Sequence, residues 1–158
     1  MCTEIGIDFI QPLFSERQVN TNLNFSRKLL RWNSIIKEAV EQSERLWKPS
    51  ILFGMDVIEW IKSRNNQERV SISITREETQ YDLNQWLKKQ QEFGNKKGGI
   101  FWNVIGPEGG WSSKEIDFFN KNNITFVSLS DTILRTSTAC INASSILNQL
   151  RIDLKLRN

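Results

Sequence analysis

Two segments of the chain carry residue types whose spacing could do chemistry. Gly106, Pro107, Glu108, Gly109 and Gly110 put three glycines within five residues, so the backbone can turn tightly and approach a ligand closely. The segment follows an apolar run, Ile100–Ile105, and precedes Ser112 with Glu115 three positions on, a helix start whose first N–H groups have no partner within the helix. It has neither the Lys-Ser/Thr ending of a P-loop nor GxGxxG spacing. Spacing alone therefore leaves two readings open, a ligand loop and a plain strand-to-helix turn. The second segment, residues 128–139, reads Ser-Leu-Ser-Asp-Thr-Ile-Leu-Arg-Thr-Ser-Thr-Ala. Ile133 and Leu134 beside polar backbone suit an adenine ring or, equally, a core. Arg135 is a permanent cation that can grip an oxyanion or phosphate, or sit on the surface.

The chain has no histidine, which excludes Ser-His-Asp and Cys-His hydrolysis, HExxH zinc chemistry and most transition-metal sites. No metal site is expected. Proton transfer near neutral pH has to use a carboxylate, lysine, tyrosine or water, or else the cofactor and substrate carry the chemistry. Glu108 is open to two roles, general base or shaper of the glycine turn.

The elements that must position these loops belong to an ordinary globular domain. The 158 residues are 39% hydrophobic and 25% charged, and a chain of this size buries roughly two-thirds of its unfolded surface. Cys2 and Cys140 are not needed as a scaffold and lack metal-ligand spacing, which reads as reduced thiols. With no signal peptide and no apolar run of about 20 residues, a cytosolic or organelle-stromal protein is expected, away from membranes. Net charge is +3, which permits a nucleic-acid partner without demanding one. Arg17, Arg27, Lys28 and Arg31 cluster against the single acid Glu16 between Phe14 and Trp32, either a solvated face or a contact for RNA.

Short apolar runs alternate with amphipathic stretches, which predicts an α/β fold with a mostly parallel sheet flanked by helices. Ile5, Ile7, Phe9 and Ile10 predict a strand closed by Pro12. A helix over 27–47 follows, ended by Pro49, and then a short strand over 51–53. Asp56 with Glu59 has capping-box spacing and predicts a helix over 57–64. Val70, Ile72 and Ile74 alternate with Ser71, Ser73 and Thr75 as in a strand. A helix is expected over 82–93 and a breaker over 94–99. The continuous apolar run at 100–105 predicts a central strand covered on both faces. A helix to about 122, a strand over 124–129 and a helix over 136–150 complete the chain.

Taken together, four ordered motifs resemble the RsmE family, methyltransferases that modify uridine N3 in 16S ribosomal RNA. Pro12-Leu-Phe-Ser-Glu-Arg17 is similar to the family's PxxSER. Arg31-Trp32 with Glu38-Ala-Val-Glu-Gln-Ser-Glu-Arg45 is similar to RWxxIxxEAxEQSxR. Gly106 to Trp111 with Glu115 matches its GPEGG and capped helix, and Leu129 to Ala139 looks like its LGxRILRxETA. The resemblance implies a SPOUT-type domain with a deep C-terminal trefoil knot, S-adenosyl-L-methionine as cofactor, a homodimer, and small-subunit ribosomal RNA as partner. Carried over, Ile105, Gly106, Pro107, Glu108, Gly109, Gly110, Leu129, Ser130, Ile133, Leu134, Arg135 and Thr136 line the methyl-donor pocket. Arg135 is the catalytic candidate, and Arg17, Arg31 and Arg45 lie near RNA or the dimer interface.

The second loop departs from the pattern three times. Ser130 stands where the family has glycine and would crowd the cofactor if that position needs a positive φ or a close backbone approach; Thr132 replaces an arginine and Ser137 a glutamate. Family members also carry an N-terminal barrel resembling a PUA domain, then a strand and helix ending in a KxTELG-like sequence, and Met1-Cys-Thr-Glu-Ile-Gly6 looks like that helix's tail. The resemblance therefore implies a catalytic domain shortened at its start, with an unpaired sheet edge and either lower solubility or compensating association. The rival readings are an inactive RNA-binding or dimerisation remnant and a SPOUT methyltransferase acting on another RNA.

Overall fold

The structure, a computed structural model, describes all residues except 19–24, 66, 76–78, 94–98 and 157–158. The short helix α1 (Cys2–Ile5) is ended by Gly6 in the left-handed region, φ 114°, whose N–H reaches the carbonyls of Cys2 and Thr3. Ile5 is therefore helical, as the resemblance implied, and the alternation from Ile5 to Ile10 shrinks to β1 (Phe9–Ile10). Pro12 does not stop extended structure, since β2 (Leu13–Phe14) follows at once.

Helix α2 (Phe25–Gln42) is shorter than its periodicity predicts. Glu44 adopts φ 53°, Arg45 N–H bonds the Val40 carbonyl at 3.1 Å, and the Ser43 hydroxyl donates back to Ala39 at 2.6 Å. That reversal is a Schellman-type stop made without glycine, so Leu46 and Trp47 lie beyond the helix. Strands β3 (Ser50–Ile51) and β4 (Met55–Asp56) pair in parallel with β1 and β2 respectively. Asp56 caps α3 (Val57–Lys62) by accepting from Ile58 and Glu59 N–H. Only half of the expected capping box forms, because the Glu59 carboxylate turns to Lys62 Nζ at 2.9 Å.

The main sheet contains β5 (Glu68–Ser73), β6 (Tyr81–Asp82), β7 (Ile100–Ile105) and β8 (Thr125–Ser128), all parallel, in the order β6-β8-β5-β7. Helices α4 (Leu83–Phe93) and α6 (Thr136–Leu156) pack one core cluster, with Leu83, Trp86, Leu87, Val127 and Ala143. Helix α5 (Ser113–Lys121) and α3 pack the other, with Val57, Trp60, Ile61, Ile72, Val104, Trp111 and Phe119. Two apolar clusters that share the sheet's strands are what an α/β layer requires.

The interior strands of this sheet are β8 and β5, not β7, and on β5 the serines decide the packing. Its serines are buried rather than facing water, Ser71 at 0% and Ser73 at 8% exposure. They are satisfied by a polar ladder to β7: Ser71 Oγ to Trp102 O at 3.3 Å, Asn103 Nδ2 to Ser71 Oγ at 3.0 Å, and Ser73 Oγ to Asn103 Oδ1 at 2.9 Å. The alternation of apolar residues with serines thus belongs to a strand whose polar side chains are buried and hydrogen-bonded. Strand β7, expected to be central from its apolar run, is an edge of this sheet. The breaker expected over 94–99 falls outside the described residues except for Gly99.

Candidate functional site

Register brings the two loops together. Ser73, near the end of β5, pairs with Ile105 on one side and Val127 on the other, so β7 and β8 finish level with each other on either flank of β5. Their exits lie two strand spacings apart, about 10 Å. This is the carboxyl end of a parallel sheet, where open α/β folds hold their ligands.

The first loop is rigid for reasons that can be read atom by atom. Gly110 N–H closes a turn on the Pro107 carbonyl at 2.9 Å, and Gly110 itself has φ +69°, a conformation that L side chains rarely adopt. At Gly106 the constraint is space, since a Cβ would lie 3.0 Å from the Trp111 ring. Trp111 is buried, donates its indole N–H to the Ser73 carbonyl at 3.1 Å, and packs edge-on to Phe119 at 5.2 Å. The indole therefore ties the loop to the end of β5. Glu108 is exposed; because the turn closes through backbone groups alone, its carboxylate is not what shapes it.

Behind the loop, Ser112 and Glu115 form the capping box that their spacing predicts. Ser112 Oγ accepts from Glu115 N–H at 3.2 Å, and Glu115 Oε2 accepts from Ser112 N–H at 2.8 Å. Two of the helix-start N–H groups expected to face a ligand are thus already paired. Glu115 is only 2% exposed, and its other oxygen accepts the Glu16 N–H at 3.1 Å. One buried carboxylate therefore fastens the Ser15-Glu16-Arg17 segment to the start of α5. Beside it, Arg17 Nη1 donates to the Gly109 carbonyl at 3.3 Å. Two motifs about 90 residues apart in sequence meet here, a contact that spacing could not reveal.

The second loop leaves β8 with the half-buried Leu129 side chain packed against the core and its carbonyl held by Asn142 Nδ2 at 2.8 Å. Ser130 Oγ accepts the Thr132 N–H at 3.1 Å, a local serine turn. Ser130 does not have a positive φ, so serine is unstrained where the resemblance has glycine. Ile133 is 66% exposed, which removes the core reading for that residue, and Leu134 is half-buried. Arg135 is exposed and its carbonyl accepts the Ala139 N–H at 2.9 Å, which puts Arg135 at the mouth of α6 just ahead of Thr136.

The other arginines separate. Arg31 is exposed on α2. Arg45 is turned inward, onto α1 and the segment that follows it. Its side chain is 9% exposed and 3.8 Å from Asp8, and its Nη1 donates to the Thr3 and Ile7 carbonyls at 2.6 and 3.0 Å. Burial pulls its guanidinium below the ordinary value while Asp8 opposes the shift. Arg45 ties the end of α2 to α1. Burial pushes the Cys140 thiol up to about 11, with Cys2 adding to the effect, which disfavours a thiolate at that position; no group of three or more His, Cys, Asp or Glu side chains placed to hold a metal ion is found among the described residues.

Known proteins share this fold. Residues 1–148 match the model of the RNA methyltransferase domain family. The chain belongs to that family. Among curated RNA methyltransferases, ribosomal RNA small subunit methyltransferase E of Synechocystis is 34% identical over 150 residues, 94% of this chain and 47% of that protein. The enzyme of the same name from Rickettsia conorii is 30% identical over 90% of this chain and 54% of its own length. The structure of ribosomal RNA small subunit methyltransferase E from Neisseria gonorrhoeae bound to S-adenosyl methionine superposes with a TM-score of 0.76 at 27% identity, covering 94% of this chain and 57% of that one. A Legionella pneumophila methyltransferase with bound S-adenosyl methionine gives 0.73 at 26% identity, over 93% and 57%. The chain thus spans about half the length of the curated relatives it matches. No helix among the described residues is long and apolar enough to cross a membrane.

Proposed function

We propose that this chain is the SPOUT-type catalytic domain of an S-adenosylmethionine-dependent methyltransferase acting on uridine N3 of small-subunit ribosomal RNA, working as a homodimer in the cytosol. The observation that carries this reading is the level exit of β7 and β8 beside Ser73, since the glycine loop and the segment leading to Ile133 and Arg135 both leave from that end of the sheet. The relatives' names and the S-adenosyl methionine bound in two similar structures support it. The trefoil knot implied by the resemblance is part of the same proposal.

The residues present fit the cofactor. Gly106 and Gly110 leave bare backbone in a turn fixed by Trp111, Ile133 offers an uncovered apolar surface, and Leu134 stands beside it. When bound, S-adenosylmethionine supplies a methyl group already activated on a sulfonium, so the protein's main work is alignment. That suits a chain without histidine. Arg135, on the fixed start of α6, holds a positive charge for the carbonyl oxygens that gain charge as uridine N3 loses its proton. Glu108, solvent-facing on the loop's tip, is the candidate base. Arg17 and Arg31 contact phosphates, and the target base is presented unpaired or flipped.

The rival reading of an inactive remnant loses the backbone-strain part of its argument, since Ser130 has no positive φ. The test is transfer of labelled methyl from S-adenosylmethionine to small subunits and to naked small-subunit RNA, with the modified base mapped. Label on uridine N3 that falls roughly 100- to 1000-fold in kcat with Arg135→Ala supports the proposal. A folded chain that transfers no label, or an Arg135→Ala variant as fast as the parent, overturns it.

A further inference from the structure

Two contacts, one buried and one exposed, bind the Ser15-Glu16-Arg17 segment to the glycine loop and the helix start behind it. The buried one is the Glu115 carboxylate, which accepts the Glu16 N–H at 3.1 Å and the Ser112 N–H at 2.8 Å. The exposed one is Arg17 Nη1, which donates to the Gly109 carbonyl at 3.3 Å. Between them the backbones meet directly. A Cβ on Gly109 would lie 3.3 Å from both the Cβ and the carbonyl oxygen of Arg17, so no side chain separates the two segments and a shift of one is felt by the other.

The Arg17 guanidinium is only partly used by this contact. It is exposed and carries five N–H donors in a fixed planar fork, of which the bond to Gly109 takes one. A phosphate oxygen can be held by the others while that bond stays in place. The segment that carries Arg17 is itself incompletely satisfied. The Gln18 N–H closes a turn on the Ser15 carbonyl at 3.2 Å, yet Ser15 Oγ and Gln18 Oε1, on either side of Glu16-Arg17, are buried without a hydrogen-bond partner. Unpartnered buried atoms raise the energy of this arrangement, which narrows the gap to another that a ligand can select.

We propose that Arg17 couples the two ligands of the site: it holds the Gly109 carbonyl and an RNA phosphate at once, so that methyl donor and RNA bind with positive cooperativity through the glycine loop. The inference rests on the methyltransferase reading and gives Arg17 a positioning role beyond its charge. A donor molecule seated on the loop fixes Gly109 and, through it, the guanidinium. RNA then meets a phosphate contact already oriented and does not bear the cost of ordering it. In the other direction, a phosphate on Arg17 steadies the Gly109 carbonyl and the loop for the donor. Linkage makes the factor the same both ways, and because the Arg17–Gly109 bond is exposed the expected factor is about fivefold, the low end for coupled sites.

The test measures the affinity of the full chain for each ligand with and without the other, using naked small-subunit RNA and S-adenosylhomocysteine, which has no methyl group to transfer. Saturating RNA is expected to tighten S-adenosylhomocysteine about fivefold, and saturating S-adenosylhomocysteine to tighten RNA by the same factor. S-adenosylhomocysteine alone is expected to slow amide exchange at Glu16 and Arg17. Arg17→Ala brings the coupling factor to about one, whereas Arg31→Ala, on α2, weakens RNA binding and leaves the factor in place, which separates coupling from the loss of a phosphate charge. The inference is overturned if the two ligands bind the parent independently, if Arg17→Ala keeps the factor, or if Arg31→Ala removes it as well. A folded parent that fails to bind S-adenosylhomocysteine or RNA overturns the methyltransferase reading itself, and this inference with it.

Discussion

Replacing Glu115 by glutamine tests whether one carboxylate holds the glycine loop and the Ser15-Glu16-Arg17 segment together. In the parent, its two oxygens accept from Ser112 N–H at 2.8 Å and Glu16 N–H at 3.1 Å with the side chain 2% exposed. A hydrogen bond to a charged group contributes about 1.5–3 kcal/mol. Glutamine keeps one accepting oxygen but puts an NH₂ against the other backbone N–H, two donors facing each other. One bond is lost outright and the other loses its charge, for a destabilisation of about 2–3 kcal/mol. For a domain of this size that lowers Tm by roughly 4–12 °C, and at an m-value near 2 kcal/mol/M it lowers the urea midpoint by about 1 M. Thermal and urea unfolding of both proteins, with exchange of the Glu16 and Ser112 amides, make the assay. A variant melting within about 1 °C of the parent, with both amides still protected, would refute the assignment.

Other perturbations separate the remaining parts. Gly110→Ala forces an L side chain into φ +69° with open space around it, so about 1–2 kcal/mol of stability should be lost in denaturant titration, from backbone strain rather than from a clash. Arg17→Ala breaks only an exposed bond to Gly109; its melt should stay within about 1 kcal/mol of the parent, while the slope of log K against log salt for small-subunit RNA falls by about one. With its thiol raised from 9.0 to about 11, Cys140 stays protonated in the folded state at pH values where an unfolded thiol ionises. Its contribution to stability is therefore complete below the unfolded pKa and declines from about pH 9 to 11. Denaturation at stepped pH should show that alkaline decline diminished in Cys140→Ala, and alkylation of the folded parent at pH 8 should run far slower than for a free cysteine.

Much of the arrangement was legible in the sequence, and the failures have physical causes. The glycine spacing and the Ser112–Glu115 pair located the first loop and its helix, because turn and cap chemistry is local. The order of strands is not local. The apolar run at 100–105 looked central, yet β7 is an edge of the sheet, and the serine-alternating β5 is interior because Asn103 satisfies its hydroxyls. Helix α2 stops early through Glu44 in a conformation that usually asks for glycine. Arg45 was legible as a motif residue but not as a buried tie to α1, since its partners are backbone carbonyls that carry no side-chain signature. The junction of Arg17 with Gly109 and of Glu16 with Glu115 is tertiary, and no spacing rule reaches across so many residues.

The most direct measurement is calorimetric titration of the folded chain with S-adenosylmethionine, alongside Gly106→Val, whose branched side chain would drive into the Trp111 ring already 3.0 Å from a Cβ. Saturable binding of one cofactor per chain, lost in a Gly106→Val protein that keeps its circular dichroism and cooperative melt, is the expected result. A folded parent that releases no heat, or a Gly106→Val variant that binds as tightly as the parent, would contradict a cofactor site built on the two loops at the ends of β7 and β8.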